Sequence, residues 1–347
     1  MSEEKRIELL IPAQEGDGVR AAALRFLQKN YSDFKFVAKE SLDYSTLVSL
    51  LKSGNADLAA VSASWWYQNR DNELFPALLL PRKEPTQVLI SEDKPDYLPR
   101  KAVVVTDSIL LRRQMLRTRP DLKIKTTKEL DIEGEDDIER TCSLEDMRIR
   151  GDINGYIIGR SLHEVLPFRS RRHTLGIHRG KPERDHFIPP PLEGITILLA
   201  RKGFPEDTFA ELSDGGTAVA LRLEMAALDA IEERLHPMIG MVVEQRKIST
   251  FLKEAEKYGD ENVIESLKDA KGKLKAGSTR IEMILELLNP DGKVTARVER
   301  LFDSNKAFTS MARVVEEWKT LLEIMTMKHE ADSRHGLSAS GSMMEID

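Results

Sequence analysis

The chain has 347 residues, 41% of them apolar and 32% charged, a soluble globular composition with material for two or three buried cores. Its net charge of −6 disfavours generic attraction to nucleic acid or an anionic membrane, and no apolar run approaches the ~20 residues of a membrane span. The single cysteine, Cys142, excludes an intrachain disulfide, and none of the seven histidines stands in a metal-ligand spacing, so no metal is expected.

The apolar run at residues 7–11 is too short for a signal-peptide core, which predicts a cytoplasmic protein. Up to about residue 204 short apolar runs alternate with helical stretches, the pattern of an α/β architecture with a largely parallel sheet. Strands are predicted at 7–11, 34–38, 56–61, 88–91, 102–106, 155–158 and 196–200. Helices are predicted at 18–30, 45–53 and 110–117. The turn-rich segment 95–99 reads as a crossing between two α/β units and Ile188-Pro189-Pro190-Pro191 as the return crossing. These place a first, discontinuous α/β domain at 1–93 and 188–204 and a second at 94–187.

From residue 217 to about 329 the apolar period is 3.6, interrupted at 259–260, 275–278 and 289–292, which predicts a mostly helical C-terminal domain at 205–332. Ala296, Leu301, Phe308, Met311, Val315, Trp318, Leu322 and Met325 mark one stripe of a final long helix, read as core packing or a partner-helix face. The Ser- and Gly-rich tail 333–347 is expected to be disordered. The basic residues at 169–173, with more at 178–186, lack interleaved aromatics and read as a solvated loop.

Several segments resemble the porphobilinogen deaminase (hydroxymethylbilane synthase) family. Residues 57–62, D-L-A-A-V-S, are similar to its D-L-A-V-H-S strand, and 81–91, P-R-K-E-P-T-Q-V-L-I-S, to its hinge entry. Residues 111–114, L-R-R-Q, followed by 119–124, R-P-D-L-K-I, resemble S-L-R-R-Q and R-R-P-D-L-x-I. Further on, 151–158 resembles G-E-Y-D-A-I-I-L, and 188–194, I-P-P-P-L-E-G, resembles L-P-A-P-G-Q-G. Leu212 through Thr217-Ala218, Glu224 and Ile239-Gly240 lie on the start of the family's final domain. The resemblance covers roughly residues 5–241 and implies two periplasmic-binding-protein-like domains with a cleft between them, followed by a third domain.

The family's chemistry requires residues that this chain lacks. The cysteine that carries the dipyrromethane primer as a thioether is matched by Leu235, so no cofactor is expected. The carboxylate that handles the proton chemistry is matched by Trp65, and its lysine neighbour by Ser64; tryptophan exchanges no proton near neutral pH. The family's T-R-G-S is replaced by Ile11-Pro12-Ala13-Gln14, its R-G-N is lost within 127–137, and its K-R-L becomes Glu164-Val165-Leu166.

Of the family's anion-binding arginines Arg112 and Arg113 remain, read as an anion site at a helix start with Ser62, Ser64 and Ser108 as further polar contacts. Trp65, Trp66 and Tyr67 form either a stacking platform or a plug. Two functions follow. One is a non-catalytic relative that binds an anionic or tetrapyrrole-related ligand in the cleft, or a protein partner or second copy through the C-terminal helices. The other is a divergent hydroxymethylbilane synthase with compensating residues.

Overall fold

The computed structural model describes residues 5–14, 16–83, 85–177, 186–268, 271–273, 279–327 and 342–346. Strand β1 (Lys5–Pro12), helix α1 (Val19–Leu27), β2 (Phe34–Ser41), α2 (Tyr44–Lys52), β3 (Leu58–Ser62), α3 (Ala63–Gln68) and β4 (Leu74–Leu79) open the chain. β1 pairs in parallel with β2 and β3. Ile7, Leu9, Leu10 and Ile11 are all buried, as befits a central strand covered on both faces. Asp43 caps α2, its carboxylate accepting from Thr46 N at 2.8 Å.

The second unit runs through β5 (Gln87–Ser91), β6 (Val103–Val105), α4 (Ile109–Thr118), β7 (Lys123–Lys125), α5 (Asp137–Arg150), β8 (Gly155–Gly159), α6 (Arg160–Val165) and β9 (Arg172–Leu175). Strand β10 (Thr196–Arg201) then returns to the first sheet. The sheet orders, β2-β1-β3-β10-β4 and β7-β6-β8-β5-β9, are the same arrangement twice. In each, three parallel strands are followed by a strand antiparallel to them, β10 or β5. The two units are α/β layers of one topology.

Three expectations change here. Strand β5 lies inside the second sheet, so the outward crossing falls at residues 80–86 and not at 94; the turn at 95–99 belongs to the second unit. Cys142, which lies outside every predicted helix, stands in α5 and is half-buried. Arg172 and His173 form part of β9, not a solvated loop, whereas 178–185 lie outside the described residues.

The C-terminal domain contains α7 (Gly215–Ala230), β11 (Ile239–Lys247), α8 (Ile248–Tyr258), α9 (Glu261–Ser266), β12 (Thr279–Leu288), β13 (Thr295–Asp303) and α10 (Ala307–Thr326). Helix still outweighs strand, but a three-stranded antiparallel sheet, β11-β12-β13, takes the place of part of the interrupted helical run expected from residue 217 to about 329. The misreading has a physical cause. β12 is central and nearly every residue in it is buried, so it shows no period-2 alternation, and its Glu, Met and Leu content imitates a helix.

Ala296 and Leu301, assigned to the helical stripe, lie in β13. Phe308 is exposed. Met311, Val314, Val315, Trp318 and Leu322 are buried on α10, which packs on β12, β13 and α7; the stripe is therefore intramolecular core. Of the tail, 333–341 and 347 lie outside the described residues, while Met344 is buried and its N–H donates to Met325 O at 2.8 Å. That end of the tail is packed, not disordered. Among the described residues no helix is long and apolar enough to cross a membrane.

Trp318 is fully buried and its Nε1–H donates to Ala296 O at 3.2 Å. Trp318→Ala should lower stability by about 3–5 kcal/mol, measured by urea unfolding.

Candidate functional site

In open α/β sheets ligands bind beyond the carboxyl ends of the parallel strands. Here those ends belong to β1, β2 and β3 on one wall and β6, β7 and β8 on the other. Asp17 follows β1 and Tyr44 opens α2. Ser62 ends β3 and caps α3, accepting from Trp65 N at 3.3 Å. Ser64 is exposed, with its hydroxyl 3.3 Å from that of Ser62.

Trp65 lies against Tyr44, ring centroids 5.3 Å apart and planes at 45°, and the Tyr44 hydroxyl donates to the Asp17 carboxylate. Burial, reinforced by the Asp17 charge, pushes the Tyr44 phenol well above its usual range. Trp66 turns into the core. Tyr67 donates to Asp229 at 3.0 Å with Arg70 over its ring. The three aromatics therefore do not form one platform: Trp65 alone joins Tyr44 on the Asp17 side.

The walls approach closely at the mouth. A methyl group at Gly18, where φ is +84°, would fall 2.4 Å from Ser161 Oγ, and one at Gly16 would fall 3.5 Å from the Asp137 carboxylate. Only glycine allows this approach at Gly18.

On the second wall Ser108 caps α4, accepting from Leu111 N at 3.3 Å. Arg112 is exposed. Arg113 is only 6% exposed, and its guanidinium donates to Leu288 O and Ile346 O, both at 2.7 Å. Arg112 and Arg113 are the fourth and fifth residues of α4, at the end of its first turn, because the helix begins at Ile109. The expected Arg112–Arg113 anion pair is thus divided: Arg113 is held inside the fold and Arg112 alone faces solvent.

Sequence reasoning read hinge segments at 81–91 and 188–191 but missed the buried bonds that hold them. Arg82, on the outward crossing, donates to the Glu224 carboxylate at 2.6 Å and to Glu193 O at 2.9 Å. Glu224, completely buried on α7, also accepts from Leu192 N at 2.6 Å and Val243 N at 2.9 Å. Leu192 adopts φ +65°, a left-handed conformation unfavourable for leucine. It stands where the family motif has glycine.

Glu193, which replaces that motif's glutamine, accepts from Gln87 Nε2 at 3.2 Å. The residue is partly exposed overall, but its carboxyl head is enclosed. Desolvation raises its pKa against the lowering influence of Arg82 and Gln87, and Asp17 adds to the rise. The glutamine-to-glutamate change in I-P-P-P-L-E-G was the available signal.

Leu235 is 4% exposed, in a 3-10 turn over Glu233–Met238 that packs into the main core. A cavity of about 580 Å³ opens beside the crossings, lined in part by Arg82, Lys83, Thr86, Thr217, Glu244 and Arg246. None of the site residues expected from sequence lines it. Among the described residues no cluster of His, Cys, Asp or Glu is arranged to hold a metal.

The family model for porphobilinogen deaminase, dipyromethane cofactor binding domain, matches residues 3–129. Two archaeal proteins are similar over longer stretches. The probable porphobilinogen deaminase of Picrophilus torridus is 23% identical over 200 residues, 57% of this chain and 65% of that protein. The probable porphobilinogen deaminase of Thermoplasma acidophilum is 25% identical over 218 residues, 61% of this chain and 68% of that protein.

This chain resembles the porphobilinogen deaminase family, whose model it matches over residues 3–129.

The match spans just under two thirds of the Picrophilus relative's length. Among solved structures, the periplasmic aliphatic sulphonate binding protein of Escherichia coli aligns over 98% of this chain and 96% of its own, with 12% identity and a TM-score of 0.34. The ligand binding component of an ABC-type import system from Staphylococcus aureus aligns over 65% and 73%, with 13% identity and a TM-score of 0.33.

Two outcomes test this geometry. A thiol placed at Leu235 would be buried, so Leu235→Cys should leave the thiol titre of the native protein unchanged and raise it by one thiol only in denaturant. Because the folded-state pKa of Glu193 is raised, its contribution is fully present below the unfolded carboxyl range and is lost as pH rises through the folded value. Glu193→Gln should therefore gain stability over the parent from about pH 4 to about pH 8, with little difference at the acid end, in urea unfolding at both pH values.

Proposed function

We propose that this chain is a cytoplasmic binding member of the porphobilinogen deaminase family that lacks hydroxymethylbilane synthase activity, taking an anionic or tetrapyrrole-related ligand at its cleft, or a protein partner through its C-terminal helices. The observation that carries the reading is Leu235. The family tethers its growing pyrrole chain through a cysteine sulfur, and a leucine side chain packed in the core offers neither a nucleophile nor an opening. The residues present do not fit the dipyrromethane primer.

Trp65 supports the same reading, since it occupies the position of the family's proton-handling carboxylate with a ring that neither gains nor loses a proton as an acid or base in the working range. Ligand contact then falls to Arg112 and Ser108 on one wall and Ser62 and Ser64 on the other. Stacking on Trp65 and Tyr44 would favour a planar ligand.

A divergent synthase is the second reading, favoured by one observation. Asp17 and Glu193 bring two carboxyl groups to the Trp65 side of the cleft, and the enclosed Glu193 carboxyl is shifted towards the protonated form, as acid–base chemistry requires.

Incubation of the purified protein with porphobilinogen separates the two. The binding reading predicts no substrate consumption, no coloured product with an aldehyde reagent and no added mass on the intact chain. Turnover, with or without an adduct, would overturn it, and loss of that turnover in Glu193→Gln would assign the acid.

A further inference from the structure

We propose that the C-terminal residues 342–346 are a strap that locks α4 of the second unit onto the C-terminal domain and so keeps the interdomain cleft closed. The first unit and the C-terminal domain share one continuous apolar core, in which Leu47, Val61 and Leu199 pack together with Leu221, Met283 and Trp318. They must move as one body. The second unit has cores of its own, around Leu89 and Met115 and around Ile90 and Tyr156, so any opening of the cleft is a movement of this unit against the rest.

The movement is opposed by polar groups on a single face of α4. Arg113 donates to Leu288 O and Ile346 O, both at 2.7 Å. Gln114 donates to Ile188 O at 2.9 Å and to Glu286 at 3.2 Å. Arg117 pairs with Glu286 at 2.8 Å, and that carboxylate is completely buried. The turn between β12 and β13 presses on the same helix: a methyl group at Gly292 would fall 2.5 Å from Arg113 O and from Arg117 N.

Such a contact parts cooperatively, because separating the two bodies gives up the Arg113, Gln114 and Arg117 bonds together. The chain's last described residues are built into it from outside the domain sequence, 233 positions from Arg113. Met344 is 2% exposed in the shared core, and its N–H is tied to α10 at Met325 O. The strap is thus anchored on the larger body and reaches across to the guanidinium of the moving one. Withdrawal of the strap removes one of the Arg113 acceptors and opens the edge of the α4 contact to water.

Hydrogen–deuterium exchange on the full chain tests this. Met344→Asp, which places a charge in the apolar anchor, should speed exchange about tenfold or more in α4 and in the cleft-mouth segments 16–18 and 160–165, while β1 and β3 keep their protection. Met344→Leu should leave all of these unchanged. Arg113→Gln, which leaves the anchor intact, should reproduce the α4 and cleft-mouth pattern and keeps the test open should Met344→Asp fail to fold. Release of 342–346 with unchanged protection in α4 and at the mouth would overturn the proposal, as would an Arg113→Gln protein with parental exchange in both places.

Discussion

Everything in this molecule is arranged around the carboxylate of Glu224. Fully buried on α7, it receives Arg82 from the outward crossing, Leu192 N from the return crossing and Val243 N from β11. One anion therefore joins both hinges to the C-terminal domain. An isolated carboxylate could not persist at that depth, and three donors from three segments satisfy it only when all are in place. The left-handed Leu192 is the local consequence: the crossing accepts an unfavourable backbone conformation so that its N–H reaches Glu224.

This arrangement determines what the cleft can do. With the hinges pinned, the carboxyl ends of the two sheets face each other and Gly16 and Gly18 come against Asp137 and Ser161. The wall near the hinge is acidic and aromatic, made by Asp17, Tyr44, Trp65 and Glu193. Exposed cationic chemistry on α4 is left to Arg112, because Arg113 supports the fold. The same helix that carries the family's arginine motif thus serves here as a joint between the second unit and the C-terminal domain.

The two α/β units were legible because β1, β3, β8 and β10 are short apolar runs bounded by turn residues, a pattern with few alternatives. The C-terminal domain was not, because burial on both faces removes the alternation that marks a strand, and β12 contains residues that favour helices. The boundary at residue 94 was misplaced for a related reason: a Pro-rich segment looks alike whether it crosses between units or turns within one. Among the site residues, Trp65 and Leu235 could be found from motif positions. Asp17 and Tyr44 gave no motif signal, and Glu193 gave only a single substitution.

By itself the sequence determined the residue types available for chemistry: a leucine where a thioether needs sulfur, a tryptophan where proton transfer needs a carboxyl, and one lone thiol in the whole chain. Covalent chemistry depends on which atoms exist, and those are written residue by residue. Only the tertiary structure decided which charges are free to act. Arg112 and Arg113 are adjacent and chemically identical, yet helix geometry turns one towards water and the other into a joint with residues 175 and 233 positions away. Solvation and partners come from contacts distant along the chain, and no local pattern encodes them.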